Sequence, residues 1–292
     1  MSRYRYAVLL IALALALAGA ALLALGPRRL WRFISRLYTF ASMPVHSSPI
    51  ESDGIYTNVI FLHHSTGQNL ITEGDVRPQL SNLGYQFWDH GFNHTGLVRP
   101  DGAPTGTHYG IPGARGRGNT DVDGLASLFS QPVTDPPINA FSRLLQHEVI
   151  IVKSCFPNSA IKSDETEEQF KTWYLQMRDA VDKNPDRVFI IMTSPPLHPQ
   201  ETSASEARRA RAVADWLNSD DYLGERPNLF VFDFFDLLAD KSSHVLREEY
   251  RRLPDEPDSH PNQAANETIG PLFVRFIDEA IQTYRSTQAG RD

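Results

Sequence analysis

Cysteine is almost absent: Cys155 stands alone in 292 residues. A chain with one thiol forms no internal disulfide and offers no cysteine zinc site, which excludes stapled secreted scaffolds and zinc ribbons. The thiol also lies in no lipobox-like position. Positive charge is scarce where it would matter for nucleic acid. Six of the 28 Lys+Arg (Arg3, Arg5, Arg28, Arg29, Arg32 and Arg36) fall within the first 44 residues, so residues 45–292 set 22 basic side chains against 35 acidic ones, a formal −13. That balance is not a nucleic-acid footprint. No Gly/Ser-rich or charge-run linker divides the same stretch, and about 250 residues fit one α/β domain. The expected organisation is an N-terminal anchor with a basic juxtamembrane segment over 1–44 and one domain over 45–292.

A long apolar run occurs once. Ala7 to Gly26 is 20 residues of mostly Leu and Ala, long enough to cross a bilayer as a transmembrane helix. Secretory signals have shorter apolar regions of roughly 7–15 residues. A retained signal anchor is therefore favoured over a cleaved peptide, although Ala18-Gly19-Ala20 resembles a cleavage site. Arginines flank the run on both sides, which leaves its orientation open. The following PRRLWRFISRLYTF, residues 27–40, mixes arginines with large apolar side chains and suits a helix lying on an anionic membrane surface. The expected placement is a single-pass, membrane-anchored protein with an extracytoplasmic domain.

The rest of the chain carries five short apolar runs: Asn58–Leu62, Tyr85–Trp88, Val149–Val152, Val188–Met192 and Leu229–Phe232. Each is β-branched or aromatic, bounded by polar or turn residues, and too short for a helix. Helical stripes alternate with the later runs. Ser163 is placed to cap a helix whose apolar side is Phe170, Trp173, Met177 and Val181, with acids crowding its first turn. Ala207, Ala210, Val213, Ala214 and Leu217 form a second stripe, and Ile269, Leu272, Phe273, Phe276, Ile277 and Ile281 a third. Uniformly apolar strands alternating with helices predict a doubly wound α/β sandwich around a parallel sheet. Between the second and third strands, residues 89–140 are rich in glycine and proline, and a loop of that length is expected to form a wall or lid over the site.

In such sheets ligands bind beyond the carboxyl ends of the strands. His63-His64-Ser65-Thr66 follows the first run, Lys153-Ser154-Cys155-Phe156-Pro157-Asn158-Ser159 the third, Thr193-Ser194 the fourth and Asp233 the fifth. Asp258-Ser259-His260-Pro261-Asn262 comes directly before the last helix. A serine at a strand-to-helix turn, with an imidazole and a carboxylate able to reach the same edge, makes a nucleophile, a base and an orienter. Cys155 has no evident base and reads as a small buried group.

In these residues the sequence resembles the SGNH (GDSL-type) hydrolases, by order of elements over about residues 57–284. The resemblance implies a three-layer, flavodoxin-like α/β sandwich with a five-stranded parallel sheet, and a serine esterase or acyltransferase without a cofactor. It implies Ser65 as nucleophile, His260 as base and Asp258 as its orienter, with the oxyanion held by the Ser65 N–H, the Gly124 N–H and the Asn158 amide. Gly124, opening the turn GLASLF, is taken over Gly91 or Gly96. The chain departs from the family where His63 and His64 replace the Gly-Asp before the serine, where Phe156-Pro157-Asn158-Ser159 replaces Gly-x-Asn-Asp, and where Asp258-x-His260 is one residue shorter than Asp-x-x-His. Asp255 is a fallback orienter. His63 and His64, having no counterpart, are expected to contact substrate or to pack.

The expected substrate is a small-molecule or glycan ester, with acylated envelope carbohydrate suggested by Trp88, Phe92 and Tyr109 as stacking surfaces, and membrane contact through the N-terminal helix. Two rivals use the same residues. His63, His64, Asp258 and His260 form a ligand set suited to a metal-dependent phosphoesterase, and a non-catalytic glycan-binding module would keep the fold without the chemistry.

Overall fold

The computed structural model describes residues 54–91, 96–112, 121–253 and 256–290. The proposed transmembrane helix over 7–26 and the basic segment after it lie outside the described residues, as do Phe92 and Asp255. Among the described residues no helix is long and apolar enough to cross a membrane.

The elements in chain order are β1 (Asn58–Leu62), α1 (Ser65–Glu73), α2 (Val76–Asn82), β2 (Gln86–His90), β3 (Leu97–Val98), α3 (Val122–Phe129), α4 (Ala140–Leu144), β4 (Val149–Lys153), α5 (Asp164–Asp182), β5 (Val188–Met192), α6 (Ala204–Leu217), α7 (Asp220–Leu223), β6 (Leu229–Phe232), α8 (Phe234–Leu238) and α9 (Gln263–Ala289). The strands form one sheet in the order β3-β2-β1-β4-β5-β6. All neighbours are parallel except β2 and β3, which pair antiparallel. The five expected parallel strands are therefore present. The sheet is six-stranded rather than five-stranded because Leu97–Val98 folds back on Asp89 and His90. A two-residue strand is too short to leave a hydrophobic alternation in sequence.

The central strands are buried on both faces. Alternation then sends successive side chains into two separate cores. Ile60, Leu62, Ile150, Val152, Phe189 and Ile191 join the core beneath α3, α5 and α6. Val59, Phe61, Val149, Ile151, Val188 and Ile190 join the one beneath α1 and α9. The register that aligns Phe61 with Ile151 and Ile151 with Ile190 keeps each row on its own face; a slip by one residue would exchange the two cores.

The three helical stripes are seated as their spacing predicts. Ser163 accepts from the Thr166 N–H at the start of α5, and all five apolar residues of the α6 stripe are buried. In α5, Tyr174 is buried more deeply than Trp173. The second core also brings α1, which begins at Ser65, to the C-terminal helix, because α1 and α9 meet almost backbone to backbone. A Cβ on Gly270 would lie 2.2 Å from the Gly74 carbonyl oxygen, so only glycine permits that approach.

Residues 89–140 are not one open loop. They include the end of β2, all of β3 and α3, and the start of α4. Tyr109, expected on a substrate-facing wall, is buried instead, its hydroxyl 2.9 Å from His147 Nε2 and its N–H donating to His90 Nε2. Trp88 is partly buried beside His147. Both rings face the core because β2 and the returning 97–112 segment close over them.

Candidate active site

Ser65 is the first residue of α1, directly after the β1 strand end, with His64 as the N-cap in extended conformation. Its backbone N–H lies in the first turn, where amides lack intrahelical acceptors and the helix dipole favours negative charge. Its hydroxyl is engaged by a residue 195 positions away: Ser65 Oγ lies 2.7 Å from His260 Nε2.

His260 is oriented by Asp258, whose Oδ1 accepts both from His260 Nδ1 at 2.6 Å and from the His260 backbone N–H at 2.9 Å. One carboxylate oxygen thus closes an Asx-type turn and holds the ring, which is how a two-residue separation does the work of a three-residue one. With Nδ1–H donated to the carboxylate, the Nε2 lone pair is left to accept from the serine O–H. Burial pushes the Asp258 carboxyl up, but the two His260 hydrogen bonds and the nearby charges of His260 and Arg252 outweigh it and hold Asp258 below its ordinary value.

The loop carrying this pair is pinned from both sides. Ser259, fully buried between Asp258 and His260, accepts from the His198 N–H at 2.7 Å and donates to Glu201 Oε2 in a short hydrogen bond. Beyond it, Asn262 caps α9 by accepting from the Ala265 N–H, while its amide donates to the Glu249 and Arg251 carbonyls. The Phe156 ring stands edge-on to the His260 ring at 4.8 Å. Cys155 is buried, as expected, with Sγ 4.0 Å from Ser65 Oγ.

Asn158 lies in the 3-10 turn Phe156–Ser159. Its amide nitrogen donates to Asp121 Oδ1 at 3.0 Å and to the Cys155 carbonyl at 3.2 Å. The Asp121 carboxylate settles which end of the amide is nitrogen, since the flipped form would set two acceptors against each other. Asp121 is the N-cap of α3, and Gly124 is buried in that helix's first turn. The Asn158–Asp121 bond therefore ties the turn bearing the asparagine to the helix start bearing the glycine. Both amide donors of Asn158 are already occupied, so receiving an oxyanion requires exchange of the longer bond to Cys155.

The two histidines before the serine part company. His63 is sealed, only 1% exposed, with Nδ1 2.9 Å from the His64 carbonyl oxygen and Nε2 3.1 Å from Asp89 Oδ2. It is not a substrate contact, because both ring nitrogens already face protein acceptors and α1 covers the ring. His64 is buried immediately before Ser65. The metal reading fails on the same geometry: the rings of His63 and His260 are committed to different carboxylates, and among the described residues no cluster of three or more His, Cys, Asp or Glu is set to hold an ion. Lys153, at the end of β4, donates to the Ser154 carbonyl at 2.7 Å with its amine 5.9 Å from the Phe234 ring centroid, and burial lowers that amine to about 8.

No protein-family model matches the chain, and no curated protein matches it. Among solved structures, the chain is similar to a Bacteroides fragilis protein described provisionally as an acylhydrolase, with a TM-score of 0.45 at 14% identity over 86% of this chain and 98% of that one. A likeness of that degree carries neither a residue role nor an activity to this chain.

Glu201, His198, Asp121 and Asp89, which hold the Ser65–His260–Asp258 cluster and Asn158 from behind, sit on other elements, and no local spacing signals them. Ser259 is marked in sequence only by its place between Asp258 and His260.

Proposed function

We propose that this protein is a serine ester hydrolase of SGNH type, acting through Ser65, His260 and Asp258. The observation that carries the reading is the continuous relay from Ser65 Oγ to His260 Nε2 at 2.7 Å and from His260 Nδ1 to Asp258 Oδ1 at 2.6 Å, assembled from two chain segments at the carboxyl edge of a parallel sheet. A serine serving only as a helix cap has no need of an oriented imidazole.

Ser65 Oγ attacks the ester carbonyl as its proton passes to His260 Nε2, and Asp258 stabilises the resulting imidazolium. The tetrahedral oxyanion is received by the Ser65 N–H, the Gly124 N–H and the Asn158 amide, the last released from the Cys155 carbonyl. Collapse expels the alcohol, which takes the proton from His260. Water, or a second alcohol in the transferase version, then attacks the acyl-serine by the same route in reverse.

An ester of an extracytoplasmic carbohydrate is the proposed substrate, and the apolar 7–26 segment the proposed membrane tether. The inward packing of Trp88 and Tyr109 removes two of the aromatic surfaces that suggested a glycan, so this choice rests on the proposed tether and on the acidic composition of residues 45–292. The test is hydrolysis of a chromogenic acetate ester by the wild type and by Ser65→Ala, each with and without a chelator. Turnover that disappears with the hydroxyl and ignores the chelator supports the reading. Equal turnover in both proteins, or none in either alongside glycan binding, sinks it.

A further inference from the structure

We propose that Arg77, Asp89 and His63 form a second, sealed carboxylate–imidazole assembly that positions the nucleophile, with His63 carrying hydrogen on both ring nitrogens. This rests on the hydrolase reading above. The paired histidines that set this chain apart from Gly-Asp-Ser acquire a role in it: His63 holds the turn on which Ser65 stands.

Three observations meet on His63. Its Nδ1 lies 2.9 Å from the carbonyl oxygen of His64, the same oxygen that accepts the first helical bond of α1 from the Gln68 N–H at 2.9 Å. The imidazole therefore grips the peptide that joins the N-cap to Ser65. Its Nε2 lies 3.1 Å from Asp89 Oδ2. The other Asp89 oxygen receives a short hydrogen bond from Arg77 Nη2, while Arg77 Nη1 donates at 2.7 Å to the carbonyls of Phe87 and Arg99. The carboxylate is thus fixed to β2 and to the segment after β3. Finally, α1 rests on the ring itself: a Cβ added at Gly67 would fall 2.4 Å from His63 Cβ and 2.9 Å from its Cγ. Only glycine lets the nucleophile helix sit that close.

A carbonyl and a carboxylate are both acceptors and neither supplies a hydrogen. A ring held between them serves both only when each nitrogen bears one. The His64 carbonyl already accepts from Gln68, so the cost of a bare nitrogen is repulsion: its lone pair would face the His64 oxygen at 2.9 Å or Asp89 Oδ2 at 3.1 Å, in a site where His63 is 1% and Asp89 2% exposed. The assembly thereby places a ring with hydrogen on both nitrogens, faced by the single carboxylate that Arg77 also holds, behind the turn whose N–H groups receive the oxyanion in the reading above. His63 is a positioning residue, acting through the His64–Ser65 peptide and not on substrate.

Asp89→Asn separates this from a merely structural role. The amide keeps the size of the carboxylate and an oxygen for Arg77, but turns its N–H₂ toward His63 Nε2, which must then accept and lose its hydrogen. A misplacement of about 1 Å at a reacting group can cost about 10²-fold, so the expected result is a tenfold to hundredfold fall in kcat on the acetate ester. KM should stay within about twofold, and the rate of Ser65 labelling by a fluorophosphonate should fall in parallel with kcat. His63→Asn, whose amide nitrogen replaces Nδ1, should restore more of kcat than His63→Leu.

Ring nitrogen NMR of the wild type, with His63 assigned from the Asp89→Asn spectrum, should show two protonated nitrogens at neutral pH. One protonated and one bare nitrogen would overturn the proposal, as would Asp89→Asn turning over within twofold of wild type. The NMR result needs no turnover, so it stands whether or not the hydrolase reading survives. Loss of activity in Ser65→Ala with none in Asp89→Asn would discard this inference and leave that reading intact.

Discussion

Two aspartate–histidine pairs lie at the same edge of the sheet and share one chemistry in opposite surroundings. Asp258 and His260 are open, with side chains 36% and 25% exposed, and the ring's second nitrogen meets a serine hydroxyl. Asp89 and His63 are sealed, and the second nitrogen meets a backbone carbonyl. The difference teaches what exposure does to an imidazole. A ring that must give and take a proton during turnover needs one nitrogen on a hydroxyl and a path to water, whereas a ring that only holds its neighbours is better enclosed, where each hydrogen bond is stronger. The open pair should therefore govern rate and the sealed pair geometry.

The most severe way to break that comparison is to disable the open site. Ser65→Ala and His260→Ala should each lower kcat by about 10⁴-fold or more, and Asp258→Asn by about 10⁴-fold by leaving the ring in the wrong tautomer. The melting temperature should barely move. The same Asp-to-Asn change in the sealed pair should cost far less rate, so equal losses from Asp258→Asn and Asp89→Asn would erase the distinction. Asn158→Ala removes one proposed oxyanion donor and should cost about 10²–10³ in kcat at similar KM, measured by steady-state kinetics on the acetate ester. Ser259→Ala cuts the link from His198 and Glu201 to the loop between acid and base. A fall of about tenfold in kcat is expected, recovered in part by Ser259→Thr.

A gentler probe concerns the neutral histidines deeper in the fold. His90 donates from Nδ1 to the Gly91 carbonyl and accepts at Nε2 from the Tyr109 N–H, and His147 donates to Asn58 Oδ1 and accepts from the Tyr109 hydroxyl. Burial lowers them to about 4 and about 3. The unfolded chain, with ordinary histidines near 6.5, binds more protons below that pH, so the stability both residues lend is complete above about 6.5 and drains away as pH falls toward 4 and 3. Each contributes a slope of about 1.4 kcal/mol per pH unit across its window. Urea unfolding between pH 7 and 4 should show this loss, and His147→Gln should flatten it.

Much of this was legible in sequence because the central strands are buried on both faces and leave unbroken apolar runs. Val59 through Leu62 and Val188 through Met192 needed no tertiary information. Ser65, His260 and Asp258 could be picked out because each follows or precedes a recognisable element. Leu97–Val98 could not be read, since two residues carry no period. The inward turn of Tyr109 could not be read either, because an aromatic in a glycine-rich stretch looks alike whether it faces solvent or a buried histidine. The role of His63 depended on Asp89, 26 positions away on a neighbouring strand, and only the parallel register of β1 and β2 brings them together.

The central claim is that Ser65 is a nucleophile activated by His260. Labelling the protein with a fluorophosphonate and mapping the adduct by mass spectrometry tests it most directly. A single modified peptide bearing Ser65, lost in His260→Ala although its serine remains, is the predicted result. An unlabelled Ser65 in the folded wild type, or labelling indifferent to His260, would contradict it.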